Sequence, residues 1–285
     1  AHLALENLLL EDELKQKALK AASEADYQLK NWDKCIQSLE ILFRLSNNEK
    51  DKSSCAVLLV NCFSKKNNFY DLLRFLPFCS DESRNTLSLN AAILEAGDYF
   101  YNNNEFIKAQ LLYKEVTPKN SILIYHTKKL EQIHKKIVPY RPGSQITLSE
   151  HKEKREFYEN EKKLIDQKIL SIQSFKSYDS ELVFRLAQCA YECRRNWLSF
   201  FYFKMLIDKY PDSNLYHQSF YSSLIAMIEE EEWEKVKSIG YEYIENNING
   251  SFISEITLNL MMLHMQLNEF KSAKEVGQIA INQIP

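Results

Sequence analysis

Cys189 and Cys193 stand four residues apart in a helical pattern, which places both thiols on one face, as a metal ion or redox pair would require. No further ligand follows at a recognisable spacing, and the gap is not the two-residue gap of zinc and thiol-redox motifs, so core packing is expected. Glu131 and His134 form a Glu-x-x-His pair of the kind that gives a di-iron bundle two ligands from one turn. Such a site needs a second pair and two more carboxylates, which the sequence does not offer. His2, His126, His151, His217 and His264 are scattered, and His264 falls in a Met-rich helix where packing is expected. There is no HExxH, P-loop, glycine-rich phosphate cradle or serine on an elbow turn. The expectation is a non-enzyme without metal or cofactor.

Lys128, Lys129, Lys135, Lys136 and Arg141 make the stretch from Lys119 to Arg141 basic, with Tyr125 and Tyr140 available for stacking. Helical spacing spreads these lysines around the axis, so a solvated face is expected over a nucleic-acid site. Glu229 to Glu245 is strongly acidic, and the formal net charge is -3. The six cysteines lie mostly inside apolar helical patterns and are expected to be reduced core residues.

The elements that carry these residues are set by a recurring aromatic. Trp32, Phe69 and Phe106 lie about 37 residues apart, and Trp197, Trp233 and Phe270 resume at about that step, each with a small or apolar residue three places on. Five glycines and six prolines in 285 residues suit helices better than a sheet. The clearest unit runs from Ile93 to Pro118: Ile93, Gly97 and Phe100 share one face of a first helix, and Asn102 to Asn104 form the turn. Phe106, Ala109, Tyr113 and Val116 face inward on the second.

This helix-turn-helix resembles the tetratricopeptide repeat. Phe270, Ala273, Gly277, Ala280 and Pro285 match its second helix, as do Trp32, Cys35, Leu39 and Leu42 with Cys in place of Ala. Around Trp197, Phe200 is large where Ala is expected; Leu72 and Val236 are the corresponding residues of the units around Phe69 and Trp233. The resemblance implies an all-α fold, an α-solenoid of about six helical hairpins in two blocks. The step exceeds the family's roughly 34 residues. With Lys209-Tyr210-Pro211-Asp212-Ser213, it is also similar to bacterial envelope proteins of the outer-membrane assembly lipoprotein type.

Three segments are expected: 1–118 and 177–285 as blocks of repeats, and 119–176 as an irregular helical pair around a Pro139-to-Ser144 breaker. In the pair, helices over Ser121–Val138 and Ser149–Ser174 are predicted. If first helices line the groove, as the resemblance implies, the partner-binding residues are Tyr27, Asn61, Asp98, Tyr101, Asn102, Arg185 and Tyr221, beside Lys17, Lys20, Glu24, Lys65 and Glu192. Val57 and Leu94 stand where a carboxylate clamp would need Lys or Arg, which argues against chaperone-tail binding.

The expected function is protein–protein interaction, as an adaptor or scaffold holding a peptide or helix in the groove. A permanent subunit of a multiprotein assembly is an alternative, to which the apolar segment Leu3, Leu5, Leu8, Leu9 and Leu10 lends support. Nucleic-acid binding through 119–141 is the other. No apolar run approaches the roughly 20 residues of a membrane span, so a soluble chain is expected, cytoplasmic or bacterial periplasmic. An oligomer or complex subunit is compatible with this reading. The opening Ala leaves room for upstream sequence.

Overall fold

The computed structural model describes residues 2–137 and 148–283, with side chains over 13–137 and 152–281. The Pro139-to-Ser144 breaker lies outside these residues. So do the side chains of Leu3 to Leu10, His2 and His151. The described residues are helical, with no strand among them.

Packing divides the chain into two compact units, Ala1–Phe100 with Glu115–Tyr178, and Tyr101–Lys114 with Asp179–Pro285. Unit 1 holds α1 (His2–Gln28), α2 (Trp32–Leu45), α3 (Glu49–Lys65), α4 (Phe69–Phe75), α5 (Asp81–Arg84) and most of α6 (Leu87–Asn102), then α8 (Lys119–Ile137) and α9 (Leu148–Ser174). Unit 2 holds nearly all of α7 (Phe106–Glu115), then α10 (Asp179–Glu192), α11 (Asn196–Lys209), α12 (Tyr216–Glu229), α13 (Trp233–Asn246), α14 (Ile253–Gln266) and α15 (Phe270–Gln283). From α10 to α15 each helix packs on the next, and α12 also touches α14. That is the nearest-neighbour stacking of a solenoid.

One turn is used six times. Lys30, Asn67, Asn104, Arg194, Glu231 and Asn268 all have positive φ, 54° to 62°, and recur every 37 residues within each set of three. Each ends a first helix. At Lys30 the amide donates to Tyr27 O at 3.1 Å and the next amide, Asn31 N, reaches back to Asp26 O at 2.8 Å. Asn67 and Asn68, Arg194 and Arg195, Glu231 and Glu232, and Asn268 and Glu269 repeat this pair of bonds. It is the Schellman arrangement, in which a left-handed residue satisfies carbonyls that the helix end would leave bare.

The turn also fixes a deep packing position five residues on. Cys35, Leu72, Ala109, Ser199, Val236 and Ala273 occupy it, and none is more than 4% exposed. Two make the same bond to the first helix: Cys35 Sγ donates to Ser23 O at 3.3 Å and Ser199 Oγ to Ala187 O at 2.9 Å. This corrects the expected register around Trp197. The small residue there is Ser199, not Phe200, because the left-handed turn is Arg194 and α11 begins at Asn196.

The second helix after Asn67 departs from regularity. α4 stops at Phe75, a 3-10 turn covers Leu76–Phe78, and α5 follows. Pro77 has no amide to continue the ladder, and Ser80 starts a new helix by accepting from Ser83 N at 3.2 Å. The predicted helices over 121–138 and 149–174 run as α8 and α9.

Unit 1 is tied by polar groups as well as by its core. Asn90, 1% exposed, donates to Arg84 O at 2.7 Å and Thr86 O at 2.8 Å and accepts from Thr117 N at 2.6 Å. Glu82 of α5 is gripped by Lys129 of α8 and by Lys168 of α9, the latter at 2.7 Å. Burial alone would raise the Glu82 carboxyl, but its hydrogen bonds to the two ammonium groups bring it down to about 2.

Two outcomes follow. Lys30→Gly and Glu231→Gly should each raise stability by about 1 kcal/mol, the cost of a left-handed L residue, read as an upward shift of the urea midpoint; Asn104→Gly should change it little. For Glu82, a depressed native pKa means stability fully present above the ordinary carboxylate value and lost as pH falls from about 4.5 through about 2. Glu82→Gln should flatten that acid limb in denaturant titrations at successive pH values.

Candidate functional site

The repeated turn supplies a register for comparing first helices. Ten, six and three places before each left-handed residue lie side chains on one stripe of the first helix, as spacings of four and three require. In unit 2 the stripe reads Phe184, Gln188, Tyr191 on α10, then Tyr221, Ile225, Ile228 on α12, then Leu258, Met262, Met265 on α14. In unit 1 it reads Lys20, Glu24, Tyr27 on α1, then Val57, Asn61, Ser64 on α3, with Leu94 and Asp98 on α6. The unit 1 stripe is mixed, with Val57 and Leu94 among polar and charged side chains. In unit 2 it becomes apolar along the chain.

Each expected site residue has a definite place. Tyr27 and Asn61 are brought together by a side-chain hydrogen bond, and burial pushes the Tyr27 hydroxyl up. The Tyr27 ring meets Trp32 edge-on at 5.4 Å and 73°. Asp98 is half-buried on α6. In unit 2, Tyr101 lies edge-on to Phe106 at 5.2 Å, its hydroxyl raised by burial and then by Glu192 and Cys189. Asn102 is exposed. Tyr221 stacks on Phe252 at 5.2 Å with only 12° between the rings. Arg185 is half-buried, with Nη1 3.6 Å from Glu181 Oε2 on its own helix. One register place separates Arg185 from the stripe, which takes Phe184, Gln188 and Tyr191 instead.

Tyr191 is the residue that sequence reasoning missed. The signal was obscured because Trp197, one place later than the aromatics of the other units, shifted the alignment of α10 by one. Tyr191 donates to Glu229 on α12, and Asn196 Nδ2 donates to the other Glu229 oxygen at 3.2 Å. Burial first, and then the Glu229 bond, raise the Tyr191 phenol to about 12. Tyr191, Glu192, Arg194, Asn196 and Glu229 line a cleft of about 480 Å³.

The residues of chemical interest lie elsewhere. Cys189 is buried and Cys193 half-buried, while Glu131 and His134 are exposed. No group of three or more His, Cys, Asp or Glu side chains is placed to hold a metal among the described residues. Burial raises the thiols of Cys55 and Cys79 to about 11 and those of Cys35 and Cys62 upward too, which disfavours the nucleophilic thiolate. His264, 3% exposed, meets Tyr241 Oη at 2.7 Å and Glu269 Oε2 at 2.5 Å, and Glu269 also pairs with Lys237 at 2.9 Å. This chain of groups clasps α13 and α14 to the turn before α15. The basic stretch is partly consumed within unit 1: Lys129 holds Glu82, Lys119 donates to Gln173 O and Phe175 O, and Lys136 sits 5.7 Å over the Tyr158 ring.

No helix of the described residues is long and apolar enough to cross a membrane. No family model matches the chain, and no curated protein matches it. Among solved structures it is similar to the TPR2AB-domain:pHSP90-complex of yeast Sti1, at 12% identity over 95% of this chain and 98% of that chain, with a TM-score of 0.28. It is also similar to the APC/C hetero-tetramer Cut9-Hcn1, at 12% identity over 94% of this chain and 73% of that chain, with a TM-score of 0.32. At that distance the helical-repeat fold rests on the chain's own turns: two sets of three left-handed helix ends, 37 residues apart within each set, each followed by a buried residue five places on.

Proposed function

We propose that this chain is a non-catalytic protein-binding module that holds an amphipathic helix or apolar peptide on the first-helix stripe of unit 2, in the manner of an adaptor or scaffold. The observation that carries the reading is the end of that stripe. Leu258, Met262 and Met265 are 50%, 61% and 52% exposed, in register with the half-buried Tyr221, Ile225 and Ile228. An i, i+4, i+7 row of large apolar side chains left in water favours covering by a partner. Methionines suit it, since their unbranched side chains adapt to a partner's shape. Each large apolar side chain fully buried contributes about 1.5–3 kcal/mol.

Tyr221 serves here as a rigid aromatic anchor, its ring already ordered by Phe252, so little entropy is lost when a partner covers it. Tyr101, Asn102 and Arg185 are proposed as further partner contacts of unit 2. Tyr27, Asn61 and Asp98 are proposed as a separate polar contact of unit 1, where the Tyr27–Asn61 pair can exchange hydrogen bonds with a peptide backbone. A permanent-subunit reading draws on the same exposed row, extended by Phe270 and Ile281 at 59% and 72%. The nucleic-acid reading is weakened by the lysines already engaged within unit 1.

The test is affinity capture from a native extract with wild type and two variants. Wild type should retain a discrete protein at moderate salt. Met262→Lys should lose at least about tenfold of it, the effect of roughly 1.4 kcal/mol, with an unchanged melting curve. Tyr101→Ala should weaken the same partner without unfolding the chain. Equal retention by all three proteins contradicts the reading, and sedimentation of the purified chain as an obligate oligomer favours the subunit alternative.

A further inference from the structure

We infer that Cys35 and Cys62 are a two-electron redox pair, which closes into a disulfide between α2 and α3 of unit 1 when a small hydroperoxide reaches it. The basis is the way the two helices bring the thiols together. Cys35 holds the deep position five places after the left-handed Lys30, and Cys62 stands five places before the left-handed Asn67. Both are fully buried, and Cys62 Sγ donates to Cys35 Sγ at 3.5 Å. The sulfurs of a disulfide lie about 2.05 Å apart, so each has to move less than about 1 Å, within reach of small χ1 rotations. In unit 2 the same two register places hold Ser199 and Ala226, then Val236 and Leu263. The thiol pair therefore belongs to this junction and not to the repeat. Cys189 and Cys193 make the contrast: four places apart on one helix, their Cβ atoms stand about 5–6 Å from each other, beyond the roughly 3.8 Å that a disulfide needs.

The contact also separates the roles of the two thiols. Burial raises both, but the bond between them then lowers Cys35 and raises Cys62 further, because the Cys62 S–H favours a thiolate at Cys35. Cys35 is accordingly the attacking thiol and Cys62 the resolving one. With hydrogen peroxide, the Cys35 sulfur takes one oxygen as the O–O bond breaks, one water leaves, and a sulfenic acid remains. Cys62 then attacks that sulfur, the S–O bond breaks, and the hydroxyl leaves with the Cys62 proton as a second water. The pair loses two electrons and two protons, and the peroxide is reduced to two waters. Enclosure makes the first step slow, since it waits on local opening. The second step is fast by comparison, because the resolving sulfur is already in contact.

The test is hydrogen peroxide treatment of the whole folded chain, then thiol alkylation and mass spectrometry of non-reduced peptides. A peptide pair joining Cys35 to Cys62, two hydrogens lighter than its reduced parts, should appear and should vanish after dithiothreitol. The linked chain should have a higher urea midpoint than the reduced chain, because the bridge ties residues 27 apart in the unfolded state. Cys35→Ser, the residue unit 2 carries at 199, should give no link and leave Cys62 reduced over the same time. Cys62→Ala, the residue unit 2 carries at 226, should stop at a Cys35 sulfenic acid that dimedone traps. No linked peptide, a link to another cysteine in its place, a link formed only in urea, or a midpoint that does not rise overturns the pair. Oxidation of Cys62 in Cys35→Ser at the wild-type rate overturns the assignment of roles.

Discussion

The left-handed turn at the end of each first helix is the constraint from which the rest follows. Six residues, three of them Asn and the others Lys, Arg and Glu, adopt it with φ between 54° and 62°. An L residue pays for this conformation with about 1–2 kcal/mol, so the surroundings must over-determine it. At five of the six they do so through the two backbone bonds of the Schellman arrangement, and at all six through the buried side chain five places on. Cys35 and Ser199 show why that position favours small residues: both sit close enough to a first-helix backbone to donate to its carbonyl.

Within unit 2, once the turn fixes each second helix on its first, the stripe of the first helix is determined too. The face of unit 2 is therefore a consequence of register, and its chemistry follows from what evolution placed there. Tyr221, Ile225 and Ile228, followed by Leu258, Met262 and Met265, form the apolar run; Tyr191, Glu192, Asn196 and Glu229 form the polar corner beside it. The buried cluster beneath, with Leu224, Met227, Val236, Tyr243, Ile256 and Leu260, gives the stripe a rigid support. Gly240 shows how close that packing is, since a Cβ there would lie 2.5 Å from a methyl of Leu260.

Much of this architecture is legible in the residues alone. The aromatic step of about 37 marks the start of second helices, and Ile93, Gly97, Phe100, Ala109 and Tyr113 lie on buried faces as their spacing requires. What the spacing hides is the turn, because Lys30, Arg194 and Glu231 carry no local signature of a left-handed backbone; glycine would have announced it. For that reason the alignment of α10 slips by one, selecting Arg185 and passing over Tyr191. The broken second helix after Asn67 was visible only as Pro77, and the Glu82 grip on Lys129 and Lys168 depends on contacts far apart in sequence. Of the site residues, Tyr27 with Asn61 and Tyr221 on its stripe were within reach of pattern; the Tyr191 bond to Glu229 was not.

The most direct test of a partner on the unit 2 stripe is site-specific photo-crosslinking in the native host, with the reactive side chain at position 262 of α14 and, as control, at the exposed Lys274 of α15. The account expects a discrete protein adduct from position 262 and none from position 274. An adduct from 274 alone, or the same adducts from both, would contradict it.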